Sequence, residues 1–243
     1  MKILVTGAAG FIGFHLTLAL LNRDDNVVGI DNLNDYYDPA LKHLRLDEIA
    51  KHSKASNFEF IKGDVLTDDL IAQCMEGKDR VIHMAAVLGT AETITTFDVE
   101  KVCTVNIVGT TKILKAAKKA GVGRVLIPTT PDVPWINPYK ITKAAVEKLC
   151  QLFSIEYDLD VVALKLGNIY GSRERWLEGP KEAPYNYQKI IPTILMDVMA
   201  GKSFKVYGNG EQQSEYIYVD DVVEAFMRAM NSEKDLRGKI IHV

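Results

Sequence analysis

The sequence predicts an α/β protein built on a doubly wound parallel sheet, and three observations predict it. Short apolar runs of strand type alternate with helical patterns along most of the chain. Strands separated by helices require parallel pairing with right-handed crossovers. The first strand and helix are joined by a glycine-rich turn, Gly7-Ala8-Ala9-Gly10-Phe11-Ile12-Gly13. With 243 residues, 47% of them hydrophobic and 25% charged, the chain is long enough to bury a large core. A formal charge of −3 leaves no electrostatic footprint for nucleic acid. No apolar run has membrane-spanning length, and the N-terminus is already a strand, not a signal peptide. Cys74, Cys103 and Cys150 are scattered and odd in number, which fits reduced thiols in a cytoplasmic protein. The histidines show no ligand spacing, so no metal is expected.

Taken in order, Lys2-Ile3-Leu4-Val5-Thr6 is the first strand, and the turn leads into a helix through Phe14, Leu16, Leu18, Ala19 and Leu21. A second strand, Val27-Val28-Gly29-Ile30, ends in Asp31. Strand, glycine turn, helix, strand and terminal carboxylate is how a βαβ unit holds a dinucleotide. Gly7 permits the tight turn, Gly10 lets a pyrophosphate approach the backbone, and Gly13 lets helix and strand pack closely. The phosphates sit on N–H groups at the positive helix start, which makes Gly7, Gly10, Phe11, Ile12 and Gly13 the candidate cofactor residues of the turn. Asp31, with Asn32 beside it, faces the adenosine ribose. Its charge would repel a 2′-phosphate by roughly 4 kcal/mol at ~4 Å in an effective dielectric of ~20. No lysine or arginine follows in Asn32-Leu33-Asn34, so NAD is expected over NADP.

A turn-rich loop through Asp38 then reaches Pro39, which can open a helix through Leu41, Leu44, Leu46 and Ile49. Phe58-Glu59-Phe60-Ile61 is the third strand, with Asp64 and Val65 just beyond it. Asp64 can accept from an adenine amino group, or it can cap the next helix, which carries Leu70, Ile71 and Met75. The fourth strand, Arg80-Val81-Ile82-His83-Met84, runs into Ala85 and Ala86, whose small side chains leave room for the middle of the cofactor. His83 reads as a strand-end core histidine. A long helical pattern from Val102 to Ala120 stops at Gly121, and Arg124-Val125-Leu126-Ile127 is the fifth strand.

The chemistry is carried by Asn137-Pro138-Tyr139-Lys140-Ile141-Thr142-Lys143. Asn137 is a good N-cap, and Pro138 suits the first helical position. Tyr139 and Lys143 then share one face, four residues apart. A tyrosine with a reference pKa of ~10 needs about three units, roughly 4 kcal/mol, to act as a base near neutrality. One ammonium at ~4–5 Å in an effective dielectric of ~20 supplies roughly 3–4 kcal/mol. Taken alone, the same pair reads more readily as an ordinary surface pair on an amphipathic helix.

These motifs occur in the order used by extended short-chain dehydrogenases/reductases, and the resemblance covers essentially the whole chain. The opening Gly-Phe-Ile-Gly-Phe-His-Leu and the later Asp-Asn-Leu-Asn-Asp-Tyr-Tyr-Asp are most similar to UDP-glucuronate 4-epimerases and related nucleotide-sugar epimerases. Leu166-Gly167-Asn168-Ile169-Tyr170-Gly171, Val206-Tyr207-Gly208-Asn209-Gly210 and Tyr216-Ile217-Tyr218-Val219-Asp220-Asp221 continue it. The resemblance implies a Rossmann-type NAD-binding domain over residues 1–166, and a small C-terminal nucleotide-sugar-binding part, shortened here, over residues 167–243. It implies that Tyr139 takes a proton from a sugar hydroxyl while a hydride passes to NAD. Lys143 would hold the nicotinamide ribose and lower the tyrosine pKa, and Thr130 would hydrogen-bond the same hydroxyl. The resulting ketosugar turns over and takes the hydride back on its other face. Cofactor positions at Asp64, Val65, Met84, Ala85 and Ala86 follow, with Asn106 in a structural position. Val87, Gly89, Thr90, Asn168, Val206 and Tyr207 line the substrate side. Relatives pair through the helices containing Ala116, Ala117, Ala144, Ala145 and Val146, so a homodimer is expected.

The chain departs from the pattern at three places. The loop from Pro131 to Pro138 is short, leaving Trp135 to shape the pocket. Ser214 stands where the family has a phosphate-binding arginine, for which Arg173 or Arg175 can compensate. The chain ends within an apolar run, Ile240-Ile241-His242-Val243. Two other functions stay open. One is a dehydratase or decarboxylase using the same ketosugar, disfavoured by Pro131 and Asp132 after Thr130. The other is an NAD-binding sensor or scaffold without turnover, disfavoured by the presence of Thr130, Tyr139 and Lys143 together.

Overall fold

The computed structural model describes residues 1–89, 94, 98–131, 136–175, 189–204, 206, 208–211 and 213–243. Its centre is a seven-stranded sheet in the order β3-β2-β1-β4-β5-β6-β9, every neighbouring pair parallel. The strands are β1 (Lys2–Thr6), β2 (Asn26–Asp31), β3 (Phe58–Lys62), β4 (Arg80–His83), β5 (Arg124–Thr129), β6 (Val161–Lys165) and β9 (Ile240–His242). The order reverses between β1 and β4, and the crevice outside the strand ends at such a switch point is where this architecture takes ligands.

Alternate strand residues go to opposite faces, and both faces are buried. Leu4, Ile30, Val81, Val125 and Ile127 pack with α3 (Asp68–Met75), α5 (Thr110–Ala120) and α6 (Pro138–Glu156). Ile3, Val5, Val27, Ile82, Leu126, Val162 and Leu164 pack with α1 (Phe11–Asn22) and α8 (Val219–Asn231). The remaining elements are α2 (Ala40–Ala50), α4 (Val99–Cys103), α7 (Ile190–Met199) and a separate parallel pair, β7 (Asn168–Tyr170) with β8 (Tyr216–Tyr218).

Three expectations change on contact with the fold. The pattern from Val102 to Ala120 is not one regular helix, because a π turn, Thr104–Gly109, separates α4 from α5. Residues after 166 also contribute to the large sheet and its core. β9 pairs with β6, and Phe226 and Met230 of α8 are buried in the same core as Phe14 and Leu20 of α1. The apolar stripe of α2 is also misread, since Leu44 is 62% exposed while Lys42 and Arg45 are buried. The two cations turn inward because their partners lie there. Lys42 meets Asp31, and Arg45 meets the carbonyls of Ala9 and Arg173.

Candidate functional site

Because every strand of the large sheet runs the same way, Thr6, Asp31, His83 and Thr129 end on one edge, and the loops beyond them build the site. Gly7 sits at φ +69°, and its N–H donates to the Ile30 carbonyl at 2.7 Å. A Cβ on Gly7 would lie 2.8 Å from the Ala85 nitrogen, and one on Gly13 only 2.1 Å from the Gly7 oxygen. The turn therefore closes tightly against both β4 and its own helix. Gly10 is the N-cap of α1, with no side-chain cap and no acidic residue in the first turn. The leading N–H groups, at Phe11, Ile12 and Gly13, are thus open to an anion, and the cradle fits the pyrophosphate of a dinucleotide.

Asp31, 7% exposed, is held by three donors. Its Oδ2 accepts from the Ala9 N–H at 3.2 Å, its Oδ1 accepts from the Leu33 N–H at 2.8 Å, and Lys42 Nζ lies 3.5 Å from Oδ1. No cation follows Asp31 directly in Asn32-Leu33-Asn34, yet Lys42 arrives from α2, eleven residues on, where neighbours in sequence do not reveal it. Asn32 donates through Nδ2 to Asp64 Oδ2 at 2.9 Å, joining the ends of β2 and β3. Asp64 Oδ1 accepts from the Leu66 N–H at 3.0 Å, so it caps the turn at the buried Val65, while the N-cap of α3 is Thr67.

Beyond β4 the chain runs through Met84, Ala85 and Ala86, all half-buried. A chain of hydrogen bonds fixes this segment and the tautomer of His83. The Thr110 hydroxyl donates to the Asn106 carbonyl at 2.6 Å, so it accepts from His83 Nε2–H, 3.1 Å away. His83 Nδ1 then accepts from Thr6 Oγ1 at 2.7 Å, which in turn accepts from the Ala85 N–H. Burial, followed by the nearby Lys143 charge, holds the His83 pKa down to about 3. It is a neutral core histidine. Asn106, 1% exposed in the π turn, accepts from the Val87 N–H at 2.8 Å and donates to the Val87 carbonyl at 2.9 Å and to Thr142 Oγ1 at 3.0 Å.

The start of α6 follows the sequence closely. Asn137 is the N-cap, its Oδ1 accepting from the Lys140 N–H at 2.9 Å, and Pro138 is the first helical residue. Lys143, buried, donates to the Pro128 carbonyl of β5 at 3.0 Å, and its Nζ lies 5.8 Å from the centroid of the Tyr139 ring. Of the two threonines at the end of β5, Thr129 is buried and Thr130 half-buried. Burial pushes the Tyr139 phenol up to about 12 and the Lys143 ammonium down to about 8. Lys143 therefore supplies only part of what a phenolate at Tyr139 needs. From about 12 to neutrality is roughly 7 kcal/mol. One charge nearly 6 Å away supplies only about 3 kcal/mol at an effective dielectric of ~20. The remainder requires a second cation or a hydrogen bond to the phenolate.

On the far side of the crevice, Asn168 Nδ2 donates to Ser214 Oγ at 2.7 Å. Asn168, Tyr170, Glu174, Lys189, Ile190 and Tyr216 line a cavity of about 60 Å³. Glu174 was not anticipated. Among the described residues its Oε2 is buried without a hydrogen-bond partner, and burial pushes its carboxyl up to about 7. Arg173 does not enter the site. It makes two bonds to the Glu48 carboxylate, at 2.7 and 3.2 Å, and more than half of its side chain is exposed. Arg175 is buried, its guanidinium 4.8 Å from the Tyr36 ring centroid. Val87 is buried, Gly89 takes a φ of +104°, and Val206 is exposed. Thr90, Trp135 and Tyr207 lie outside the described residues.

Comparison with known proteins identifies the family. The model of the NAD dependent epimerase/dehydratase family matches residues 3–243. A UDP-glucose 4-epimerase of Mycolicibacterium smegmatis is 33% identical over 94% of this chain and 73% of its own length. The crystal structure of a UDP-glucuronic acid 4-epimerase from Bacillus cereus, in complex with UDP-glucuronic acid and NAD, superposes with a TM-score of 0.83 at 29% identity, over 100% of this chain and 77% of that one. A dTDP-glucose 4,6-dehydratase from Streptomyces venezuelae with NAD bound superposes at 0.81 and 25% identity, over 100% and 75%. With a family model spanning nearly every residue and the glycine turn, Asp31, Tyr139 and Lys143 on one edge of the sheet, the chain belongs to the NAD dependent epimerase/dehydratase family.

Proposed function

We propose that this chain is an NAD-dependent epimerase that inverts the fourth carbon of a UDP-sugar through a 4-ketosugar. The observation that carries the reading is the Lys143–Pro128 bond of 3.0 Å, which ties the Tyr139 helix to the end of β5, two residues before Thr130. The cradle of Gly7, Gly10, Phe11, Ile12 and Gly13 holds the pyrophosphate, and Asp31, Asn32, Asp64, Val65, Met84, Ala85 and Ala86 line the rest of the dinucleotide. NAD, when bound, supplies a hydride acceptor that can return the hydride. Tyr139 takes the proton from the sugar hydroxyl and gives it back, Thr130 orients that hydroxyl, and Lys143 holds positive charge beside the phenol. Val87, Gly89, Thr90, Asn168, Val206 and Tyr207 face the nucleotide sugar, and Glu174, beside Asn168 in the cavity, joins them.

Incubation with NAD and UDP-glucose or UDP-glucuronate, followed by separation of the sugars, tests the reading. The C4 epimer should accumulate with no net NADH. Tyr139→Phe should lower kcat by at least about a thousandfold while NAD stays bound. Near-normal turnover in that variant removes Tyr139 as the base. The likeness to the S. venezuelae dehydratase supports a second reading. A 4-keto-6-deoxy sugar in the same assay would establish it. The expected homodimer needs one revision, because Ala117 and Val146 belong to the core. Val99, Val108, Ile141, Leu152 and Ile155 are the exposed apolar side chains near that face. A monomeric mass by light scattering would dismiss the dimer.

A further inference from the structure

The surroundings of Asp31 resemble an anion site already filled. The carboxylate collects two backbone N–H groups, from Ala9 and Leu33, and the Lys42 ammonium. Lys42 is 5% exposed and is itself oriented by Asn34 Oδ1 at 2.9 Å and by the Tyr37 ring, 5.3 Å from Nζ to centroid. Arg45 approaches the same ring at 5.6 Å and donates to the Tyr37 hydroxyl. The other charges facing Lys42 are Asp35, which favours its charged form, and Arg45, which opposes it. Asp31 and Lys42 are therefore a buried pair of nearly zero net charge, which offsets much of the repulsion Asp31 would exert on a 2′-phosphate. Occupancy acts beside it, since the carboxylate already takes the Ala9 and Leu33 N–H groups and the Lys42 ammonium.

We propose that Ala9 N–H, Leu33 N–H and Lys42 form a latent 2′-phosphate site at the end of β2, kept for NAD only because the Asp31 side chain fills it. The proposal rests on the reading that a dinucleotide occupies the glycine turn. Emptying the site leaves three directed donors and a buried cation beside the adenosine ribose, and charge-assisted bonds of this kind are the strong ones. Lys42 thereby becomes a determinant of cofactor choice that sits on α2, outside the strand-turn-helix-strand unit.

The test is the ratio of NADP to NAD affinity, measured by titration calorimetry on the full chain and on Asp31→Ser, Asp31→Asn and Asp31→Ser/Lys42→Met. Serine empties the site, so the ratio should move toward NADP by about a hundredfold, the worth of one or two charge-assisted bonds. Asparagine removes the charge but still fills the space, so its shift should stay under about tenfold. The double variant should lose most of the serine gain. A hundredfold shift in Asp31→Asn, or a serine gain that survives Lys42→Met, overturns the proposal. Should Asp31→Ser fail to fold by thermal unfolding, the asparagine arm alone decides between the two outcomes. A parent chain that binds neither NAD nor NADP overturns the dinucleotide reading, and this proposal with it.

Discussion

Asn106 is the residue whose removal tests most directly how the site is held together. Its side chain makes three buried hydrogen bonds of 2.8 to 3.0 Å, two to the Val87 backbone and one to Thr142, which lies between Tyr139 and Lys143. Asn106→Leu keeps the volume and removes all three. Thr142 retains its bond to the Tyr139 carbonyl at 2.9 Å, so the loss falls on the Val87 N–H and C=O. Each buried backbone group left unsatisfied costs about 1–3 kcal/mol, giving about 4 kcal/mol for the pair. For a chain of this size, 1 kcal/mol moves the midpoint by roughly 2 °C or somewhat more, so Tm should fall by about 8 °C. Differential scanning calorimetry reads the shift, and hydrogen exchange at the Val87 N–H, which should accelerate, assigns it to the right bond. A fall of less than about 2 °C with Val87 still protected would refute the reasoning.

Further outcomes follow from the turn and from His83. Gly13→Ala would set a Cβ 2.1 Å from the Gly7 oxygen, against backbone that cannot yield cheaply, so NAD affinity measured by calorimetry should fall by more than about a hundredfold. An unchanged affinity would mean the turn opens freely. His83 is held at about 3 in the folded chain, below its unfolded value of ~6.5. The unfolded chain therefore binds the proton first, and the stability from a neutral His83 is complete above pH ~6.5 and is lost as pH falls toward 3. His83→Gln should flatten the fall in unfolding free energy between about pH 6 and pH 4 by about 1.4 kcal/mol per unit, measured by urea titration at each pH. Equal slopes would place the proton elsewhere.

What the sequence discloses and what it hides divide along a physical line. Contacts made within a turn or two of chain are readable, because local chemistry decides them. Asn137 caps and Pro138 starts α6 as their backbone preferences require, and Gly7 takes the positive φ that its turn demands. The alternation of buried residues in β1 and β5 likewise follows from strand geometry alone. Charged side chains are the failures. Lys42 and Arg45 stand where an amphipathic pattern assigns solvent, yet they are buried, while Leu44 between them is exposed. A period-3.6 pattern scores only apolar residues, so it cannot see a helix whose inward face is cationic because Asp31, two carbonyls and a tyrosine await it.

The same blindness explains Arg173 and Glu174. The partner of Arg173 lies 125 residues away in Glu48, and Glu174 lies among the walls of a cavity assembled from β7, α7 and β8. From the letters alone Arg173 or Arg175 can replace the arginine missing at position 214, and Glu174 between them gives no sign of its burial. The fold separates them: at Arg173 φ is +64°, its carbonyl accepts from Arg45, and its guanidinium is tied to α2 on the outside. The next side chain, Glu174, is left buried against the cavity. Arg45 therefore joins the glycine turn, through Ala9, to the loop that carries Glu174 beside the cavity. One helix, α2, thus holds both the glycine turn and the loop that carries Glu174.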